Sequence, residues 1–164
     1  MSTLFVDTIN EKTSGNGINI PGHVVQVVHS NTTANLTVTS SSYTDSGVSA
    51  SITPSSTSNK ILVLVSLHAS TNDSGGNGAE TAARLVRGST EIAEYQRAIF
   101  HYDSGGGTGH VSAVISLVYL DSPSSTSSTT YKPQVKTASG QFRINDYSTS
   151  ANSTSSITLM EIAQ

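Results

Sequence analysis

Few residues in this chain have the types and spacing that chemistry needs. His101, Asp103 and His110 flank the glycine-rich run of residues 104–109. If that run closes a hairpin, His101 and Asp103 share a strand face, and the three side chains converge as metal ligands. The alternative is a solvated hairpin end. Asn72, Asp73, Ser74, Asn77 and Glu80 have part of the make-up of a calcium loop. They lack its alternating carboxylates and its spaced final glutamate. Gly75-Gly76 and Gly105-Gly106-Gly107 lack the Lys-Ser/Thr that completes a phosphate loop, so they read as loop tips. There is no cysteine, no Gly-x-Ser-x-Gly and no His-Glu-x-x-His. A carboxylate pair for glycoside cleavage would have to come from Asp103 with Glu91 or Glu94, which is a loose match. Asn31, Asn35, Asn72 and Asn152 begin Asn-x-Ser/Thr patterns, as chance predicts in a chain so rich in Ser and Thr. The sequence therefore predicts no catalytic residue, no metal, no cofactor and no enzyme.

The elements around these residues read as strands. In residues 110–120, HVSAVISLVYL, alternation puts Val111, Ala113, Ile115, Leu117 and Tyr119 on one face. The other face carries Ser112, Val114, Ser116, Val118 and Leu120 and is also largely apolar. Residues 60–67, KILVLVSL, behave alike. Short Val/Ile-rich runs bounded by turn residues suit strands covered on both sides. One face enters a sandwich core, and the other needs a further cover, for which a second copy of the chain is the expected one. Residues 23–30, 131–137, 141–147 and 156–163 complete a set of eight or nine strands. Arg87-Gly88-Ser89-Thr90 reads as a hairpin turn, and residues 79–86 are the nearest approach to a helix. Regular spacing of short strands indicates an all-β, jelly-roll-like antiparallel β-sandwich. Glu161 shares a strand face with Ile157 and Leu159. It is expected either to form an ion pair at a subunit interface, with Arg84, Arg87, Arg97 or Arg143, or to reach solvent at a strand end.

Composition narrows the class. The 164 residues suit one domain with a real core. Only 12% are charged and the net charge is −3, so neither a nucleic-acid footprint nor an acidic tail is present. Thirty serines and 21 threonines alternate with Val, Ile, Leu and Tyr, a pattern common on durable extracellular or virion surfaces. No apolar run approaches the roughly 20 residues of a membrane span, and residues 1–12 lack the basic start and apolar core of a signal peptide. Residues 1–22 stand apart: the clusters Leu4-Phe5-Val6 with Ile9, and Ile18 with Ile20, flank a turn at residues 13–17 and end at Pro21-Gly22. So short a segment cannot bury its own apolar side chains, and reads as an arm that docks elsewhere.

The run FVDTINEKTSGNGINIPGHVVQVV, residues 5–28, resembles a motif of tail-fibre and related virion proteins of tailed bacteriophages, marine ones in particular. It carries Gly15-Asn16-Gly17-Ile18 and Ile20-Pro21-Gly22-His23-Val24. KILVLVSL, ARLVRGSTEIA, ISLVYLDSPSS and ITLMEIAQ are similar to the β-domain of the same proteins, so the resemblance covers nearly the whole chain. It implies a homotrimeric structural protein of the virion surface, made in the host cytoplasm. An N-terminal docking arm (1–22, through Phe5, Ile9, Ile18 and Ile20) would hold another virion protein, and a β-sandwich domain (23–164) would attach to the host. Val114, Val118, Leu120, Leu159 and Glu161 are the expected subunit interface. Asn72, Asp73, Asn77, Tyr102 and Asp103 are the expected exposed-loop residues contacting a host glycan or protein. No nucleic-acid or membrane partner is expected. A capsid decoration or cement protein is the alternative within this class. A free carbohydrate-binding module, using Tyr95, Tyr102 or Tyr147, is the alternative outside it.

Overall fold

In the computed structural model the described residues are 8, 20–73, 79–95, 100–101, 109–146 and 153–164. They form an all-β sandwich of two antiparallel sheets. Twelve strands are present: β1 (Val24–Thr32), β2 (Leu36–Val38), β3 (Thr44–Asp45), β4 (Ala50–Ile52), β5 (Lys60–Asp73), β6 (Ala79–Arg87), β7 (Thr90–Tyr95), β8 (Phe100–His101), β9 (Gly109–Asp121), β10 (Thr129–Thr137), β11 (Gln141–Ile144) and β12 (Ser155–Ile162). The count exceeds the expected eight or nine because residues 36–52 hold three short strands and residues 90–101 hold two, some only two residues long.

The first sheet forks. Along one edge of β5, residues 61–73 pair with the whole of β9. Along the other edge β12 pairs residues 60–66, and β11 then replaces it at residues 69–72. β1 lies outside β12 and β2 outside β11. One side chain and one backbone N–H fill the fork. The His68 amide donates to Ser155 Oγ at 3.0 Å, and the His68 carbonyl accepts from the Asn145 amide at 2.8 Å. Both backbone groups of His68 that face the fork are thus paired.

The second sheet is built on β6 and β10, which pair from Arg87↔Tyr131 to Thr81↔Thr137. Residues 79–87 are thus a strand, not the helix their Ala, Glu, Arg and Leu content favours. Pairing on both edges, to β10 and to β7, overrides that propensity. The turn expected at residues 87–90 is present, with Arg87↔Thr90 closing it and Gly88 at φ +61°, the conformation a tight hairpin needs. Pro133 sits inside β10, where a proline is normally excluded. It falls between the short partners β3 and β4, which pair residues 134–135 and 129–131. Its carbonyl accepts from the Ser46 amide at 3.1 Å, and its missing N–H lies on the same side, where no ladder bond is required.

The core lies between the sheets. Val63, Leu67, Leu117, Phe142, Ile144, Ile157 and Leu159 from the forked sheet meet Ala83, Leu85, Tyr131 and Val135 from the second. At one end, Asp121 at the close of β9 accepts from Arg87 Nη1 at 2.8 and 2.9 Å and from the Tyr131 hydroxyl at 2.6 Å. This cluster ties the two sheets together. Burial, helped by the hydrogen bond to the Asp121 carboxylate, raises the Tyr131 pKa far above the usual phenol value, so the proton stays on Tyr131. This end, where the chain enters β1 and leaves β12, is the foot. β5 runs from the foot to the opposite end, the head.

Candidate functional site: the outer face of the forked sheet

Period-two alternation and strand register decide what the forked sheet shows to solvent. Cross-strand neighbours share a face, so the register gives rows. Nearest the foot the row is Val24–Ile162–Lys60; then come Val27–Met160–Leu62–Leu120, followed by His29–Thr158–Leu64–Val118. Above them the row is polar, Asn31–Ser156–Ser66–Ser116, and then His68–Val114 and Ser70–Ser112. The lower rows hold an apolar patch that is four strands wide at Val27–Met160–Leu62–Leu120 and is bordered on β1 and β12 by His29 and Thr158, which hydrogen-bond each other at 2.9 Å. Val27, Val118, Leu120 and Val114 are 56%, 59%, 50% and 51% exposed. Between Lys60 and His68, these strands place no charged side chain on that face. Three inter-strand spacings by about six residues bound an area of roughly 15 by 20 Å, the size of the largest apolar patch on an ordinary monomer, which is often functional.

Above the patch the two residues after β11, Asn145 and Asp146, make a short crossing onto the outer face of β5. Asn145 is 1% exposed and at φ +59°. Its Nδ2 donates to the carbonyls of Thr32 and Ala34 at 3.0 and 3.1 Å, and its Oδ1 accepts from Ser155 Oγ at 2.7 Å. Ser70 Oγ donates to the Asp146 carbonyl at 2.7 Å. Between this crossing and β9 lies a cleft of about 470 Å³, lined by His68, Ser112, Val114, Asp146 and Ser153 among others.

The expected interface residues divide. Val114, Val118 and Leu120 lie on the exposed outer face. Leu159 and Glu161 do not: both are 0% exposed within the single chain. They sit on the inner face of β12, so neither has surface left for a second subunit. Glu161 has neither of its expected settings. No arginine reaches it among the described residues; Arg84, Arg87 and Arg143 pair with Glu91, Asp121 and Asp146 instead, and Arg97 lies outside them. Four hydrogen bonds hold its carboxylate. Oε1 accepts from the Ser55 amide (2.7 Å), Ser55 Oγ (2.8 Å) and Asn59 Nδ2 (2.7 Å), and Oε2 accepts from Gln26 Nε2 (2.5 Å). Burial opposes the charge, but the bonds from Asn59, Gln26 and Ser55 outweigh it and hold Glu161 below the usual carboxylate range. The network ties β1 and the 53–59 loop to the last strand.

The expected loop residues fare differently again. Asn72 and Asp73 end strand β5 rather than lying in an exposed loop, because β9 pairs β5 to its last residue: Asn72↔His110 and Asp73↔Gly109. Asn72 Oδ1 is buried, with no hydrogen-bond partner among the described residues. Asn77, Tyr102, Asp103 and Tyr147 lie outside the described residues, as do Phe5, Ile9 and Ile18 of the arm. Ile20 is described and is 52% exposed. It opens the turn Ile20-Pro21-Gly22-His23, closed by His23 N donating to the Ile20 carbonyl at 2.8 Å with Gly22 at φ +83°. Residues 101 and 110 belong to β8 and β9, and Asp103 lies outside the described residues, so nothing here tests whether His101, Asp103 and His110 converge. Among the described residues no group of three or more His, Cys, Asp or Glu could hold a metal ion. No helix among them is long and apolar enough to cross a membrane.

No family model and no curated protein matches this chain. Among solved structures it is similar to a chain of infectious bursal disease virus, Gx strain, at 14% identity and a TM-score of 0.35, over 84% of this chain and 38% of that one. A chain of the Gt strain matches at 14% identity and a TM-score of 0.32, over 90% of this chain and 38% of that one. The present chain thus spans well under half the length of these viral chains.

Proposed function

We propose that the chain is a structural protein of the virion surface of a tailed bacteriophage, a short homotrimeric fibre-type protein. In this reading residues 1–22 dock it to another virion protein and the sandwich faces the host. One observation carries the reading: the sandwich has a complete core of its own, yet an outer sheet face still exposes Val27, Val118 and Leu120 beside half-buried Leu62, Leu64 and Met160. A second copy is the occupant that fits. Above Lys60, which closes the row nearest the foot, the patch carries no carboxylate, lysine or arginine for a charged partner to pair with, and its flat, mainly apolar surface suits the dry centre of a standard interface whose polar surroundings bring it toward roughly 800 Å² per subunit. The three-fold count and the tail-fibre class come from the resemblance of residues 5–28. The foot supports the polarity of the arrangement, because the arm joins the sandwich at Ile20 beside the apolar rows.

Light scattering on the full chain tests the self-association. A mass of three chains that falls to one in Val118→Asp/Leu120→Asp supports the reading, and a monomeric wild-type chain overturns it. Incorporation into particles tests the arm: deletion of residues 1–22 abolishes it if the arm docks, and unchanged incorporation removes the docking role.

A further inference from the structure

We propose that the cleft between the Asn145–Asp146 crossing and β9 is a binding site for a neutral sugar residue. Its placement facing the host rests on the reading above; the binding itself does not. Three features support it. The first is rigidity. The cleft is floored by β5 and β9, which pair continuously through His68↔Val114 and Ser70↔Ser112. Its far wall is fixed by the hydrogen bonds of Asn145 and by Ser70 Oγ on the Asp146 carbonyl. A site held this firmly loses little freedom on binding.

The second is its chemistry. The Ser112 and Ser153 hydroxyls each donate and accept, the His68 ring offers one of each when neutral, and the Asp146 carboxylate accepts at two oxygens. Among the described residues the side chains of His68, Ser112 and Ser153 make no hydrogen bond, so their capacity is open to a ligand. Vicinal hydroxyls on a pyranose ring match such a set: a pair of them can donate to one carboxylate while accepting from serine. Val114 supplies aliphatic surface for the ring's C–H face. The volume of about 470 Å³ lies in the range of small-molecule sites and holds one or two sugar rings.

The third is charge. Asp146 faces Arg143 Nη1 at 3.8 Å. The pairing balances the carboxylate that lines the cleft, so an anionic ligand is repelled by Asp146 and a cationic one competes with Arg143 for it, which favours a neutral ligand. The cleft lies above the apolar rows, separated from them by Asn31–Ser156–Ser66–Ser116. Subunits packed at the foot leave it open.

The test is proton NMR of the His68 ring in the full chain, titrated with methyl α-glucoside, methyl α-galactoside and methyl α-mannoside, with glucosamine and glucuronate as charged counterparts. The expected result is a saturable shift of the His68 signals by at least one neutral pyranoside, with a Kd of about 1–10 mM. Ser112→Phe, which fills the cleft, abolishes the shift, and Asp146→Asn weakens binding about tenfold. Neither variant changes the mass in solution, whereas Val118→Asp/Leu120→Asp changes the mass and leaves the sugar response, so the two readings fail separately. The proposal is overturned if no neutral pyranoside shifts His68 at about 50 mM, if the charged sugars bind and the neutral ones do not, or if the shift survives Ser112→Phe.

Discussion

The two sheets of this sandwich turn very different outer faces to solvent. On the second sheet, Arg84 pairs with Glu91 at 2.8 Å and donates to Gln134, and Lys132 pairs with Asp45 at 2.6 Å. Arg84 and Lys136 lie 4.2 and 4.3 Å over the Tyr43 ring, whose hydroxyl donates to Glu94. The aliphatic members of that face, Ala82 and Val86, are buried. Long charged side chains cover a face well because their stems are apolar while their heads stay wet. Among the described residues the forked sheet has nothing comparable over Val27, Leu62, Leu64, Val118 and Leu120. The described chain finishes one face, and the other is the face that the proposed assembly covers. Fold and function separate here: the core needs neither outer face, so the apolar rows of the forked sheet are free to be spent on assembly.

Substitutions on β9 sharpen that difference most. Leu117→Ala, on the inner face, costs about 3–4 kcal/mol of folding stability because it empties a fully buried site. Leu120→Ala, three residues on, costs below about 1 kcal/mol of monomer stability. Denaturant unfolding of the two dilute variants measures the contrast. Glu161→Gln places an amide among the donors of Ser55, Asn59 and Gln26, and costs about 3 kcal/mol at pH 7. Because the folded pKa of Glu161 is depressed, its contribution is complete above the unfolded value near 4.5 and drains as pH falls through the lower folded value. Wild type therefore loses stability in that acidic window, and Glu161→Gln flattens the loss. Unfolding midpoints from pH 7 to pH 3 decide the matter. Val118→Asp alone weakens self-association about 10- to 100-fold, read from mass against concentration. Arg84→Ala, on the finished face, costs below about 1 kcal/mol and leaves the mass unchanged, since partly exposed ion pairs contribute little. If Arg84→Ala dissociated the assembly, the roles of the two faces would be reversed.

Much of this contrast is legible in the chain. Alternation in residues 110–120 separates Ile115 and Leu117 from Val118 and Leu120 without any coordinates, and the Gly88-Ser89 turn announces its hairpin. Local signals fail where tertiary pairing decides. Residues 79–87 carry helix-forming side chains and become a strand only because β10 and β7 flank them. Alternation does place Glu161 on the core face with Ile157 and Leu159, but its partners lie 102 to 135 residues away in sequence. Polar residues such as Gln26 and Asn59 give no sign that they will meet a carboxylate. The cleft was equally hidden. It is assembled from β5, β9 and the crossing after β11, and the residues that build it are ordinary serines, a histidine and an aspartate.

The most direct test of the central claim is the solution mass of the full chain, measured by light scattering for wild type and for Val118→Asp/Leu120→Asp. Self-association through the forked sheet predicts three chains for wild type and one for the variant, with the same far-ultraviolet spectrum for both. A wild-type monomer, or an assembly that survives both aspartates, would contradict it.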